Sequence, residues 1–217
     1  MDLSVAALAD LGTDAGGRLR VHSPYPTAAF SRLDSLAPGF RAARDAAAAH
    51  GFTPVVRPAG GRLAAYGAGA LVLDLVAAHP DPRAEHRRRF AIAAASLVDG
   101  LRELGVDARV GPVPGEYCPG DYSVNARGRT KLVGTAQRIT RHGYLFSAVV
   151  LVDDPEPVRA VLSATYPLLG LDWDQATVGS VADDVAGITV ADVAGALVPR
   201  LLGLVDDTVD ERHGPVV

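Results

Sequence analysis

Residues 111–152, GPVPGEYCPGDYSVNARGRTKLVGTAQRITRHGYLFSAVVLV, decide the fold. The first ten are dominated by Gly and Pro, which punctuate regular structure, so Gly111–Gly120 reads as a loop. Asp121–Asn125 and Thr130–Arg138 then read as two strands joined by ARGR, a hairpin, and Tyr144–Val152 reads as a third strand. Strands that follow one another through short turns pair antiparallel, because a parallel pair needs a crossover of a dozen residues or more.

Working outward, Asp107–Val110 is a further short strand before the loop. Ahead of it the spacing of Phe90, Ala94, Leu97, Leu101 and Leu104 predicts a long helix from Asp81-Pro82 to Gly105. Gly69–Val76 and Thr53–Arg57 are β-rich runs separated by Gly60-Gly61. Pro38-Gly39 opens the alanine-rich FRAARDAAAAHG, a helix closed by Gly51. Arg18–Ser23 is a strand stopped by Pro24 and Pro26, and residues 1–17 are a short helix or a loose arm. Downstream, Asp154-Pro155 starts one helix and Thr189–Gly203 forms another, with Thr189 and Asp192 spaced as a capping box. The order is strand, helix, paired strands, helix, three or four consecutive strands, two helices. That predicts an α+β fold, a mixed, largely antiparallel sheet flanked by helices, in a single domain spanning residues 1–217.

Composition narrows the function. The chain has 217 residues, a net charge of −4, one cysteine and 21 basic residues, of which only Lys131 is lysine. One cysteine makes no intramolecular disulfide and no thiolate metal cluster, which points to a reducing compartment. An acidic chain is a poor nucleic-acid binder. No apolar run approaches the roughly 20 residues of a membrane span, and the N-terminus lacks a secretory pattern. The expectation is a cytoplasmic protein without nucleic-acid or membrane partners. His22, His50, His79, His86 and His213 have no ligand spacing, so no metal is expected.

Three glycine-containing stretches compete for chemistry. RPAGG (Arg57–Gly61) follows a strand but is not a P-loop, and no GxxxxGK[ST] occurs anywhere. GAGA (Gly67–Ala70) lacks the third glycine of a dinucleotide fingerprint and precedes a strand rather than a helix. Each reads as a turn, or as backbone that comes close to a ligand. The third stretch carries Cys118. A lone cysteine is often a small buried hydrophobe. Here it sits in a surface loop, where a nearby cation makes a thiolate an effective nucleophile. Lys131 supplies that cation if the hairpin folds back. An arginine-rich composition makes a surviving lysine a candidate for work that needs a compact ammonium. The basic RAEHRRR (residues 83–89) is a solvated helix face or a dock for an acidic partner.

RPAGG followed by GALVLDLV, GEYCPGDYSV and GRTKLVGTAQR resembles the lipoate–protein ligase and biotin ligase catalytic-domain superfamily, over residues 18 to 205. The resemblance implies that fold. It implies an acyl pocket lined by Arg57, Gly60 and Gly61 and by Gly128, Arg129, Lys131, Gly134, Ala136 and Gln137, with Tyr66, Asp121 and Tyr122 as further substrate contacts. YCPGDY resembles the loop of the cysteine-dependent octanoyl or lipoyl amidotransferases. By that resemblance Cys118 forms an acyl-thioester and passes octanoate or lipoate to a lysine of a lipoyl-carrier domain. Lys131 would orient the acyl carbonyl and stabilise its oxyanion. The implied partners are the glycine cleavage H protein or 2-oxoacid dehydrogenase E2 subunits, with acyl carrier protein as a further one. The transferase needs no cofactor. The alternative is an ATP- and Mg-dependent ligase acting through an acyl-adenylate. Against it, GDYSV stands where ligases carry NDI, Ser147-Ala148 where they carry His-Gly, and Ala65-Tyr66 where they carry His-Asp. A third possibility is a non-catalytic member that binds a lipoyl domain or a small acid.

Overall fold

In the computed structural model, residues 2–10 and 16–210 are described, with side chains for residues 3–10 and 16–204. In chain order the elements are α1 (Asp2–Ala9), β1 (Arg18–His22), β2 (Thr27–Phe30), α2 (Phe40–Ala49), β3 (Thr53–Val56), β4 (Ala64–Tyr66), β5 (Ala70–Ala78), α3 (His86–Glu103), β6 (Ala108–Val110), β7 (Val124–Ala126), β8 (Thr130–Ile139), β9 (Gly143–Leu151), α4 (Glu156–Thr165) and α5 (Val190–Asp210). The large sheet has the order β1-β5-β9-β8-β7-β6 and every neighbouring pair in it is antiparallel. A small second sheet runs β3-β2-β4, with β3 parallel and β4 antiparallel to β2. The expected α+β class and largely antiparallel sheet are what the molecule has.

All nine residues of β5 are buried, because the strand is covered on both faces. Leu71, Leu73, Leu75 and Ala77 meet Leu97 and Leu101 of α3 and Leu197 and Leu201 of α5. Val72 faces the other way, into a second cluster with Phe30, Leu63 and Leu162 beneath the small sheet, α2 and α4. The space between the two sheets is where the site lies.

Several elements differ from the sequence reading. The runs at Thr53 and Gly69 were expected to pair. They lie in different sheets: β3 pairs with the alanine-rich β2, whose other edge takes β4, while β5 pairs with β1 and β9. The long helix starts at His86 rather than Asp81-Pro82, whose residues form the turn before it. Asp154 does not cap α4; it adopts a left-handed φ of 47°, and Pro155 stands at the cap. Of the two readings of the first residues, Asp2–Ala9 is the helix. Its Ser4 hydroxyl donates to the buried Asp74 carboxylate at 2.6 Å, and Leu8 packs on Val76, Ala78 and Leu145. The capping box is present: the Thr189 hydroxyl donates to Asp192 at 2.6 Å while the Asp192 N–H donates back at 3.2 Å.

Candidate active site

A cavity of about 340 Å³ opens between the sheets. Its walls are Gly134, Ala136, Ser147 and Val149 of the large sheet and Ala29, Ala64 and Tyr66 of the small one. Cys118, Arg57, Gly60 and Gly61 line it, and so do Lys131 and Gln137. Cys118 and Lys131 thus both line this one cavity.

The Cys118 loop is held from within. Glu116, 3% exposed, accepts from the Val113 N–H at 2.9 Å, the Gly120 N–H at 3.2 Å and the Ser123 hydroxyl at 2.6 Å. Lys131 comes up beneath from β8, 1% exposed. Its ammonium donates to Glu116 at 3.1 Å, to the Tyr117 carbonyl at 3.0 Å and to the Cys118 carbonyl at 2.7 Å. An ammonium has three hydrogens, so all are engaged. The hairpin does fold back, as the cation argument required, but the ammonium reaches the carbonyl of Cys118 and not its sulfur.

The backbone at Cys118 is left-handed, with φ 43°. Its N–H donates to the Tyr166 hydroxyl at 2.8 Å, and that hydroxyl donates onward to the Leu63 carbonyl at 2.8 Å. A phenol with both bonds satisfied in a dry position stays neutral; burial pushes Tyr166, and likewise Tyr117, well above the usual tyrosine range. This tie fixes where the side chain points. The sulfur meets the opposite loop: the Arg57 guanidinium donates to it at 3.4 Å and the Arg62 backbone N–H at 3.3 Å. The same Arg57 nitrogen donates to the Arg62 carbonyl at 2.8 Å, which curls the segment 57–62 around the sulfur. Gly61 has φ 96°, and a Cβ there would stand 2.8 Å from both the Arg57 guanidinium and the sulfur. Here the glycine is required twice, by conformation and by space.

Other expected contacts lie elsewhere. Asp121 and Tyr122 are outside the cavity, in a neighbouring depression with His86, Arg87 and Phe90, because β7 starts only at Val124; Tyr122 stacks on Phe90 at 5.1 Å. Gly128 and Arg129 are exposed in the β7–β8 turn rather than at the pocket. The glycines of GAGA do allow a close approach, but to the chain itself: a Cβ at Gly69 would lie 2.3 Å from the Asp153 carbonyl. In RAEHRRR, Arg89 is drawn inward over the Tyr144 ring at 4.2 Å and donates to Gln137 at 3.3 Å, while Arg83 and Arg87 are exposed. Sequence reasoning passed over Glu116, Arg62 and Tyr166. Glu116 carried a signal, a carboxylate in a Gly/Pro loop two residues before the cysteine. Tyr166 had none, lying 48 residues from Cys118.

The family model described as the lipoyl protein ligase A/B catalytic domain matches residues 41–201. The chain belongs to this family. Within it, an octanoyl-[GcvH]:protein N-octanoyltransferase of Exiguobacterium sibiricum is 30% identical over 68% of the chain and 53% of that enzyme. One of the same name from Geobacillus kaustophilus is 27% identical over 55% of the chain and 42% of its own length. The chain thus spans about half the length of these curated relatives. A crystal structure of lipoate-protein ligase A bound with ATP superposes with a TM-score of 0.71 at 19% identity, covering 95% of this chain and 78% of that one. It shares the lipoyl-ligase fold, and at that identity the likeness speaks to fold alone.

Proposed function

We propose that the protein is an octanoyl or lipoyl transferase that moves its acyl group onto a lysine of a lipoyl-carrier domain through a Cys118 thioester. The observation that carries the reading is the Cys118 sulfur, aimed into an apolar cavity and met by two N–H donors at 3.3 and 3.4 Å. An apolar cavity of this size suits a medium-length acyl chain, and a thiol at its edge suits covalent catalysis on that chain's carbonyl. The names of the curated relatives support octanoyl as the group and a glycine cleavage H protein as donor or acceptor. E2 subunits and acyl carrier protein are further candidate partners, and a cytoplasmic setting is part of the same reading. Arg57, Gly60, Gly61, Tyr66, Gly134 and Gln137 form the acyl site in this proposal. Lys131 acts on the acyl carbonyl indirectly, as the charge that holds the nucleophile's loop, and residues 1–217 work as one catalytic domain. No metal or nucleotide is required.

The test is incubation with an octanoylated carrier followed by intact-protein mass spectrometry. Wild-type protein gains one octanoyl mass and Cys118→Ser gains none. An adduct unaffected by Cys118→Ser, or no adduct on the wild type, defeats the covalent mechanism. ATP-dependent loading of free octanoate or lipoate makes the protein a ligase instead. Tight carrier binding with neither reaction makes it a binding module.

A further inference from the structure

Three buried charged side chains meet at the cysteine loop, and two of them cancel. Lys131 and Glu116 form a buried ion pair at 3.1 Å with side chains 2% and 0% exposed. Arg57 is left. It is 7% exposed, its Nε is buried without a hydrogen-bond partner, and among the described residues no carboxylate pairs with it. An arginine cannot shed its proton, and a buried unpaired charge is costly. Against its guanidinium lie the neutral Arg62 carbonyl at 2.8 Å and the Cys118 sulfur at 3.4 Å. A second donor, the Arg62 N–H, meets that sulfur at 3.3 Å.

We propose that Arg57 is a catalytic residue, the counter-ion of the Cys118 thiolate both as attacking nucleophile and as leaving group. This rests on the transferase reading and adds the group that manages its charge. In the first half-reaction the sulfur lone pair forms the C–S bond to the acyl carbonyl. The carbonyl oxygen carries the negative charge until the bond to the donor's nitrogen breaks, and the departing amine takes a proton from water. In the second half-reaction the acceptor's neutral amine attacks the thioester and gives a proton to water. The C–S bond breaks and its electron pair returns to sulfur, beside the guanidinium. No oxidant, reductant or metal enters, and the two protons balance.

The curl of residues 57–62 explains why this position needs arginine. One Arg57 nitrogen is already committed to the Arg62 carbonyl at 2.8 Å, so the planar fork is fixed as it reaches the sulfur. The single-point ammonium of lysine has no such geometry. Lys131 does not compete for the role, because its hydrogens are spent on two carbonyls and Glu116.

The decisive experiment needs no acyl donor. Cys118 is the only cysteine, so its alkylation by iodoacetamide at pH 7 is read without ambiguity by intact mass. Arg57→Gln should slow alkylation by about tenfold or more, the expected effect of losing an opposite charge within contact distance. Added methylguanidinium should restore part of the rate in Arg57→Ala. Arg57→Lys should fall between the two. Circular dichroism and the melting transition show whether each variant is folded. If Arg57→Gln is folded and alkylates at the wild-type rate, the proposal is wrong. If Arg57→Gln is unfolded, Arg57→Lys decides: a wild-type rate with no gain from methylguanidinium in Arg57→Ala also overturns it. A wild type that never transfers octanoate but shows slowed alkylation in Arg57→Gln defeats the transferase reading and leaves Arg57 as the sulfur's counter-ion.

Discussion

Two loops meet at the Cys118 sulfur, and they are held by opposite means. The loop 111–120 is clamped by a buried carboxylate and a buried ammonium that between them bind four backbone groups of that loop, the Val113 and Gly120 N–H and the Tyr117 and Cys118 carbonyls. The loop 57–62 has no fully buried pair; its Arg62, 38% exposed, meets the buried Asp34 carboxylate at 3.5 Å. One guanidinium bonds to its own segment's carbonyl, and a glycine adopts a left-handed φ of 96°. The contrast teaches that one loop spends its charges on holding a shape. The other keeps one charge, that of Arg57, without a carboxylate and against the reacting atom. Damage to the first should read as lost stability, and damage to the second as lost chemistry.

The largest effect should come from Lys131→Met, which strands the Glu116 carboxylate in the interior. Breaking a buried pair from one side costs about 3–5 kcal/mol, measurable by urea denaturation. The double variant Lys131→Met with Glu116→Gln removes both charges and should recover a good part of that loss. A single variant as stable as the wild type would mean that the clamp is dispensable. Tyr166→Phe comes next. It unties the Cys118 N–H from the Leu63 carbonyl, and each group left without its partner costs about 1–3 kcal/mol. Transfer should also fall, since the sulfur loses its aim; unchanged kcat with unchanged stability would refute the tie.

Gly61→Ala sharpens the other side of the contrast. The strained φ should cost about 1–3 kcal/mol, less than the broken ion pair. The new Cβ, 2.8 Å from the sulfur and from Arg57, must push them apart. Octanoyl transfer should therefore fall further than the stability loss explains, and a variant with full transfer would show that these loops do not need their close contact. The smallest effect is expected at Thr189→Ala, whose side chain bonds to Asp192 at the start of α5. Losing that cap should lower stability by about 1 kcal/mol, with kcat/KM unchanged within error; a change in kcat/KM would couple α5 to the site.

What the sequence disclosed and what it concealed divide along a physical line. Period and punctuation are local, so the β8–β9 run, the alanine-rich α2 and the Thr189–Asp192 cap could be read directly. The small sheet could not. Its β2 and β4 are TAAF and AAY, whose alanines carry little β preference and become strands only because β3 and the large sheet are there to cover them. The site was half legible in the same way. Cys118 and Lys131 stand out by rarity, and the family resemblance drew Arg57 and Gly61 into the pocket. The contact of Arg57 with Cys118 spans 61 positions, and that of Tyr166 with Leu63 spans 103. No local pattern reports a pairing at such separation. For that reason sequence proximity points to the lysine as the sulfur's cation, while the structure places an arginine there.

The burial of Lys131 also bears on self-recognition. An enzyme that acylates lysine side chains carries a hazard if its own surface offers the same amine next to an activated thioester. This chain has one lysine in 217 residues, it is 1% exposed, and its three N–H bonds all point at oxygen atoms of a neighbouring loop. An amine so engaged has no free lone pair and no path to a carbonyl carbon. The rest of its cationic surface is arginine, whose guanidinium is a poor nucleophile. These 217 residues therefore present no exposed lysine amine of the kind the protein is proposed to modify.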